Sequence, residues 1–282
     1  MALALSSVGY TTKPYAFTYD WKTVATYALG IGAKRDELEY LFEGAKGGMK
    51  VYPTFAVVPA YAAVIELLGK TGGDLAMVVH GGQTIRMHKA IPASGTIETT
   101  GTLEAIYDLK KFGQVVLKTS TTASGEPLFD TLWSIIYRGA GGFGGPRPPA
   151  REDEPSVPKE CAPDWTFKET TSPEQALLYR ISGDVNPLHA DPEFANMVGF
   201  PQGPILHGLC TYGFAARAIV KNAAGGDATK VRAFSAQFRK PVWPGDTIVT
   251  SGYALEGGKV AIVAHVDGRP DAVLANAWAE MD

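Results

Sequence analysis

Residues 179–220 read YRISGDVNPLHADPEFANMVGFPQGPILHGLCTYGFAARAIV, and the second part of this stretch decides the fold. From Gly208 to Asn222 apolar and small residues recur all the way round a helix, which predicts deep burial. Alternating stretches follow at Arg232–Lys240, Thr247–Glu256, Lys259–Asp267 and Ala272–Ala279. Pro-Gly-Asp, Gly-Gly and Asp-Gly turns separate them. A buried helix followed by a meander predicts an α+β unit, an antiparallel sheet wrapped around one helix.

Upstream, the same order appears at a nearly constant offset. Tyr27-Ala-Leu-Gly30 stands against Tyr179-Arg-Ile-Ser-Gly183, and Pro53 opens an apolar helical run as Pro204 does. Thr96-Ile97 matches Thr247-Ile248, and Gln114–Thr121 alternates as Lys259–Val266 does. Shared landmarks predict a tandem duplication. Between the copies, residues 139–163 read GAGGFGGPRPPAREDEPSVPKECAP and keep no apolar period. This predicts a linker, flexible at its Gly-rich start and stiffer at its Pro-rich end. The expected organisation is 1–138, a linker at 139–163, and 164–282.

The chemistry lies at the start of the quoted stretch. Asp184 and His189 are five residues apart, with Val-Asn-Pro-Leu between them. Pro187 fixes its own φ and pushes Asn186 towards extended backbone, while Gly183 permits angles other residues resist. The result is a shaped turn that aims an acid and an imidazole at one point. Read singly, Asp184 is an Asx-turn residue and His189 a core histidine. Together they suit water addition: one takes a proton from a water held between them while the other guides or donates. Such groups contribute about 10²–10⁴-fold each. Adding water to a double bond conjugated with a carbonyl group also builds charge on the carbonyl oxygen. The Gly208 N–H, at the start of the buried helix, is a free donor suited to it. A metal site from His189, Asp191 and His207 lacks the usual ligand spacing, and none is expected. Cys210 reads as a small buried apolar residue.

At these residues the sequence resembles the signature of MaoC-like, (R)-specific enoyl-CoA hydratases (hydratase 2), carried by Tyr179-Arg-Ile-Ser-Gly-Asp184-Val-Asn186-Pro-Leu-His189. The likeness extends to Val79-His80-Gly81-Gly-Gln83, Pro204–Thr211 and Phe238–Gly245, and so covers both halves. The resemblance implies a double hot-dog fold, trans-2-enoyl-CoA as substrate and (R)-3-hydroxyacyl-CoA as product. It implies no metal or redox cofactor, and a homodimer. It places the family's catalytic pair on Asp184 and His189, and its substrate contacts on Asn186, His80, Gly81, Gly208 and Phe238. A lysine contact falls on Lys111, with Lys110 an equally close match, and a first-half glutamate corresponds to Glu43, read as structural. The first half lacks the motif, reading Tyr27-Ala-Leu-Gly-Ile-Gly-Ala-Lys34 instead, so one active site per chain is expected. The degenerate half would then shape the acyl pocket. A thioesterase, a 3-hydroxyacyl-carrier-protein dehydratase and a binding module are the competing readings.

Composition sets the outer bounds. The chain has 282 residues, 45% of them apolar, which is enough for two cores. With 26 basic and 29 acidic residues there is no electrostatic footprint for nucleic acid. Two cysteines exclude a disulfide scaffold. The opening MALALSSVGY has no charged n-region, no apolar stretch reads as a membrane span, and the C-terminus is not a peroxisomal tripeptide. A cytoplasmic, membrane-free protein is the expectation.

Overall fold

The structure is a computed structural model that describes residues 3–150 and 154–282; Arg151, Glu152 and Asp153 of the linker, and Met1 and Ala2 of the N-terminal stretch, lie outside them. The first half runs β1 (Tyr15–Tyr19), α1 (Trp21–Gly30), α2 (Val57–Lys70), β2 (Val78–Met87), β3 (Gly95–Asp108), β4 (Phe112–Ala123) and β5 (Glu126–Arg138). The second runs β6 (Trp165–Thr170), α3 (Gln175–Tyr179), α4 (Pro192–Met197), α5 (Gly208–Asn222), β7 (Val231–Phe238), β8 (Thr247–Ala254), β9 (Lys259–Val266) and β10 (Ala272–Met281). All strands join one 10-stranded sheet in the order β1-β3-β4-β5-β2-β7-β10-β9-β8-β6. Each half therefore has the same internal order, and the two meet where β2 pairs antiparallel with β7, from Gly82↔Gln237 to Arg86↔Ala233. This is the double hot-dog arrangement, with the two wrapped sheets fused edge to edge.

Each long helix is the axis of its half. Both begin four residues after a proline, Val57 after Pro53 and Gly208 after Pro204, and Pro53 itself opens the 3₁₀ turn Pro53–Ala56 that leads into α2. Every residue from Leu209 to Val220 in α5 is buried. In α2 the small residues Ala60 and Ala63 face the sheet, and a Cβ on Gly101 of β3 would lie 3.0 Å from that of Ala63. The 18-residue run Pro53–Lys70 is long and apolar enough to cross a membrane, although no such stretch was expected; Val57, Ala60, Ala63, Val64 and Leu67 are instead buried in the protein core.

Strand ends depart from expectation for local reasons. β7 stops at Phe238, ahead of Pro241, which has no N–H to donate to a ladder. β8 stops at Ala254, ahead of the turn at Gly257 and Gly258, whose φ values are 69° and 72°. The Gly-rich start of the linker is tied down, since Gly142 and Gly144 donate to the Asp108 carboxylate at 2.9 and 2.8 Å.

Candidate active site

The acid and the imidazole stand on the turn the sequence predicts. Gly183 has φ 131°, open to glycine at little strain. Asn186 is extended ahead of Pro187, and its side chain caps the short turn Pro187–His189 by accepting from the Leu188 N–H at 3.0 Å. The Asn186 oxygen is thus engaged by the backbone, leaving its NH₂ for a ligand. Asp184 Oδ1 lies 3.2 Å from the Asn186 N–H and 3.2 Å from the Tyr61 hydroxyl of the first half. Burial, and then the Asp184 carboxylate, push the Tyr61 phenol up, so it keeps its proton and donates.

Three histidines have their tautomers fixed by carbonyl oxygens, which can only accept. His189 Nδ1 meets Ile205 O at 2.8 Å, His207 Nε2 meets Asp184 O at 3.0 Å, and His80 Nε2 meets Gly82 O at 3.0 Å. In the neutral rings, His189 is therefore bare at Nε2, and His80 and His207 are bare at Nδ1. Burial pushes His189 below its ordinary range. Burial and the adjacent His189 ring push His207 down to about 3, and burial pushes His80 down to about 4. The His189 and His207 rings stack at 3.7 Å.

The structure brings most of the expected residues together. A Cβ on Gly208 would lie 3.3 Å from the Phe238 ring, and that ring meets His80 at 4.8 Å between centroids. His80 also stacks on Trp133 at 5.0 Å. Gly81 sits at a bulge in the β2–β5 ladder, where a Cβ would fall 2.6 Å from Ile136 Cγ1. Gly208 is the first residue of α5, and its N-cap residue His207 makes no side-chain cap, so the Gly208 N–H is one of the uncapped donors at the start of the helix. A cleft of about 230 Å³, open mouth included, is lined by Val57, Val58, Tyr61, Tyr179, Ser182, Asp184 and Leu209.

Lys111 is not in this group. It is exposed in the β3–β4 turn beside Lys110, which has φ 69°. Its strand neighbour Val115 pairs with Ile135, which pairs with His80. Strand rise and spacing then put the Lys111 backbone roughly 16 Å from His80, at the same end of the sheet. Glu43 is exposed, and the buried glutamate of that region is Glu37. Among the described residues the cluster with metal-ligand spacing is Asp184, His189 and His207, with ligand atoms within 4.8 Å of one another. Asp191, expected there, instead caps α4 by accepting from the Glu193 N–H at 2.9 Å. The cluster fits an ion poorly. Imidazole lone pairs lie in the ring plane, and two stacked rings send them along near-parallel lines rather than to one point about 2.0–2.1 Å away. Cys210 is buried as expected, its thiol pushed up by burial and donating to Gly30 O at 3.2 Å. Tyr61 escaped sequence reading because it lies 123 positions from Asp184; helical spacing beside Val57 and Val58 was its one signal.

Fold and site together define a double hot-dog protein with an acid–imidazole pair where its halves meet. A family described as "MaoC like domain" matches residues 159–268, and one described as "MFE-2 hydratase 2 N-terminal domain" matches residues 17–139. The chain is 39% identical to 3-hydroxyacyl-thioester dehydratase Y of Mycobacterium tuberculosis, over 95% of this chain and 93% of that one. It is 38% identical to the peroxisomal enoyl-CoA hydratase 2 of Arabidopsis thaliana, over 92% and 89%. The crystal structure of a MaoC-like dehydratase from Phytophthora capsici superposes with a TM-score of 0.88 at 29% identity, covering 99% of this chain and 98% of that one. The chain belongs to the MaoC-like hydratase 2 family.

Proposed function

We propose that this protein is a hydro-lyase that adds water across trans-2-enoyl-CoA to give (R)-3-hydroxyacyl-CoA, reversibly. The observation that carries the reading is the convergence of two acceptors and one donor. A carboxylate oxygen of Asp184 and a ring nitrogen of His189 lie within 4.8 Å of each other, the Ile205 carbonyl leaves Nε2 as the bare nitrogen of that ring, and the uncapped start of α5 is at Gly208. A water between the two acceptors directs its hydrogens at them and a lone pair at the substrate β-carbon. As the C–O bond forms, one O–H bond breaks and the pair delivers a proton to the α-carbon. The Gly208 N–H stabilises the thioester oxygen while it carries enolate charge. The family resemblance and the enoyl-CoA hydratase and hydroxyacyl-thioester dehydratase names among the relatives support this reading.

In the same proposal, residues 1–138 are a pocket-shaping half, 139–163 a linker and 164–282 the catalytic half. Val57, Val58 and Tyr61 of the first half line the cleft, which supports that division. His80, Gly81, Asn186 and Phe238 contact the thioester, and Lys111 reaches the far end of CoA. The assembly is a homodimer, read directly by sedimentation equilibrium.

The test mixes purified protein with crotonyl-CoA and trans-2-decenoyl-CoA and follows loss of conjugated enoyl absorbance. Dehydrogenases specific for each 3-hydroxy enantiomer then identify the product. Absorbance loss with an (R) product, abolished in Asp184→Asn and His189→Gln, is the expected result. Release of free thiol without hydration would make the protein a thioesterase instead.

A further inference from the structure

Asp184 is held from both halves of the molecule. Its own turn supplies the Asn186 N–H, and α2 of the other half supplies the Tyr61 hydroxyl, each at 3.2 Å from the same oxygen, Oδ1. Rotation about the last side-chain bond of an aspartate is ordinarily broad. Two donors on one oxygen fix it and leave Oδ2 for other partners, beside the cleft that Tyr61 and Asp184 both line.

The duplicated fold supplies an internal comparison. Tyr61 is the fifth residue of α2, and Tyr212 is the fifth residue of α5. Tyr212 has no acid to meet. Its hydroxyl donates to Phe234 O at 2.6 Å, and its ring stacks on Phe234 at 4.2 Å. Where Asp184 follows Gly183 in the second half, Ile31 follows Gly30 in the first. Ile31 is fully buried against Gly213, whose Cβ, if present, would fall 2.2 Å from Ile31 Cγ2. The equivalent position in the first half is thus packed shut, and one tyrosine of the pair is left facing a carboxylate.

We infer that Tyr61 is a positioning residue for the reaction: the half without the acid–imidazole turn supplies the phenol that orients the Asp184 carboxylate towards substrate. Its kinetic consequence rests on the hydration reading, whereas the contact itself does not. The half that lacks the motif therefore does more than line the cleft, because the acid of the other half is set by it.

The experiment is Tyr61→Phe, which keeps the ring and removes one hydroxyl. Two readouts are taken at a fixed pH of about 8: the steady-state constants with crotonyl-CoA, and the ¹³C carboxyl resonance of Asp184, identified by its loss in Asp184→Asn. A hydrogen bond to a charged group is worth enough to change a rate about tenfold. The expected result is a kcat about tenfold lower, a KM within about twofold, an unchanged thermal midpoint and a displaced Asp184 resonance. An unmoved resonance would overturn the contact, and a moved resonance with unchanged kcat would overturn the positioning role. If the wild type hydrated no enoyl-CoA, the functional reading would fall while the resonance still decided the Tyr61–Asp184 contact.

Discussion

The Ile205 carbonyl fixes the neutral His189 with its proton on Nδ1 and its lone pair on Nε2. That ring can take a proton from water only while it is neutral, and burial favours the neutral form. The sign follows directly. A folded pKa below the ordinary 6.5 keeps the ring neutral as pH falls past 6.5, and it charges only at lower pH. The limb of kcat/KM that belongs to His189 is therefore expected below pH 6.5, read from a pH–rate profile with crotonyl-CoA. An acid limb at or above pH 6.5 would contradict this. The same sign governs stability. His80 and His207, held down to about 4 and about 3, bind protons in the unfolded chain before they do so folded. Their contribution is present above pH 6.5 and is lost as pH falls towards those values.

Helix α5 shows what element-scale packing demands. It carries glycine at Gly213 because Ile31 of the other half occupies the space a side chain would need, 2.2 Å from the would-be Cβ. Gly213→Ala is expected to destabilise the protein by about 1–3 kcal/mol through overpacking, read from urea unfolding. Combined with Ile31→Ala, the loss should be smaller than the sum of the single losses, because one substitution makes room for the other. Additive losses would show that the two positions do not share the space. The helix itself was legible: its Gly208–Asn222 span coincides with the expectation, because apolar residues run all round it. The Asp184–His189 turn was legible for the same kind of reason, since Gly183 and Pro187 restrict the backbone locally. Gly213 is read easily as a weak point of that helix, but the reason for it lies on Ile31 in the other half. Tyr61 was illegible on the same ground. The anchor of the Gly-rich run 139–145 was illegible for the same reason, because its partner, Asp108, belongs to a distant hairpin.

At the scale of the whole molecule, a buried charge cluster joins the halves. Arg217 of α5 is fully buried and pairs with Glu37 of the first half and Glu169 of β6. Its Nε donates to Glu37 Oε1 at 3.0 Å, and Tyr52 donates to that oxygen at 2.5 Å. Lys34 N–H donates to Glu37 Oε2 at 3.0 Å, and Arg217 donates to Ile31 O at 3.2 Å. A buried ion is tolerable only when every partner is present. Arg217→Met would leave Glu37 with Lys221 at 3.3 Å and Glu169 with Lys34 at 3.2 Å as their remaining cations, neither of them fully buried, and is expected to cost about 3–5 kcal/mol. The acid limb tests the same cluster more selectively. Burial alone would raise Glu37, but the Arg217 guanidinium and the Tyr52 hydroxyl outweigh it and hold the carboxyl at about 2 against an ordinary 4.5. The stabilisation so gained is present above pH 4.5 and lost as pH falls from 4.5 to about 2. Linkage makes it on the order of 3 kcal/mol. Glu37→Gln cannot ionise and has no such window. The stability gap between wild type and Glu37→Gln, measured by urea unfolding at successive pH values, should therefore be wide at pH 7 and close through that range. Histidine protonation affects both proteins alike and drops out of the difference. A gap that stayed constant down to pH 2 would mean that Glu37 is ionised no more readily folded than unfolded, and that the halves are held by their shared sheet and apolar core alone.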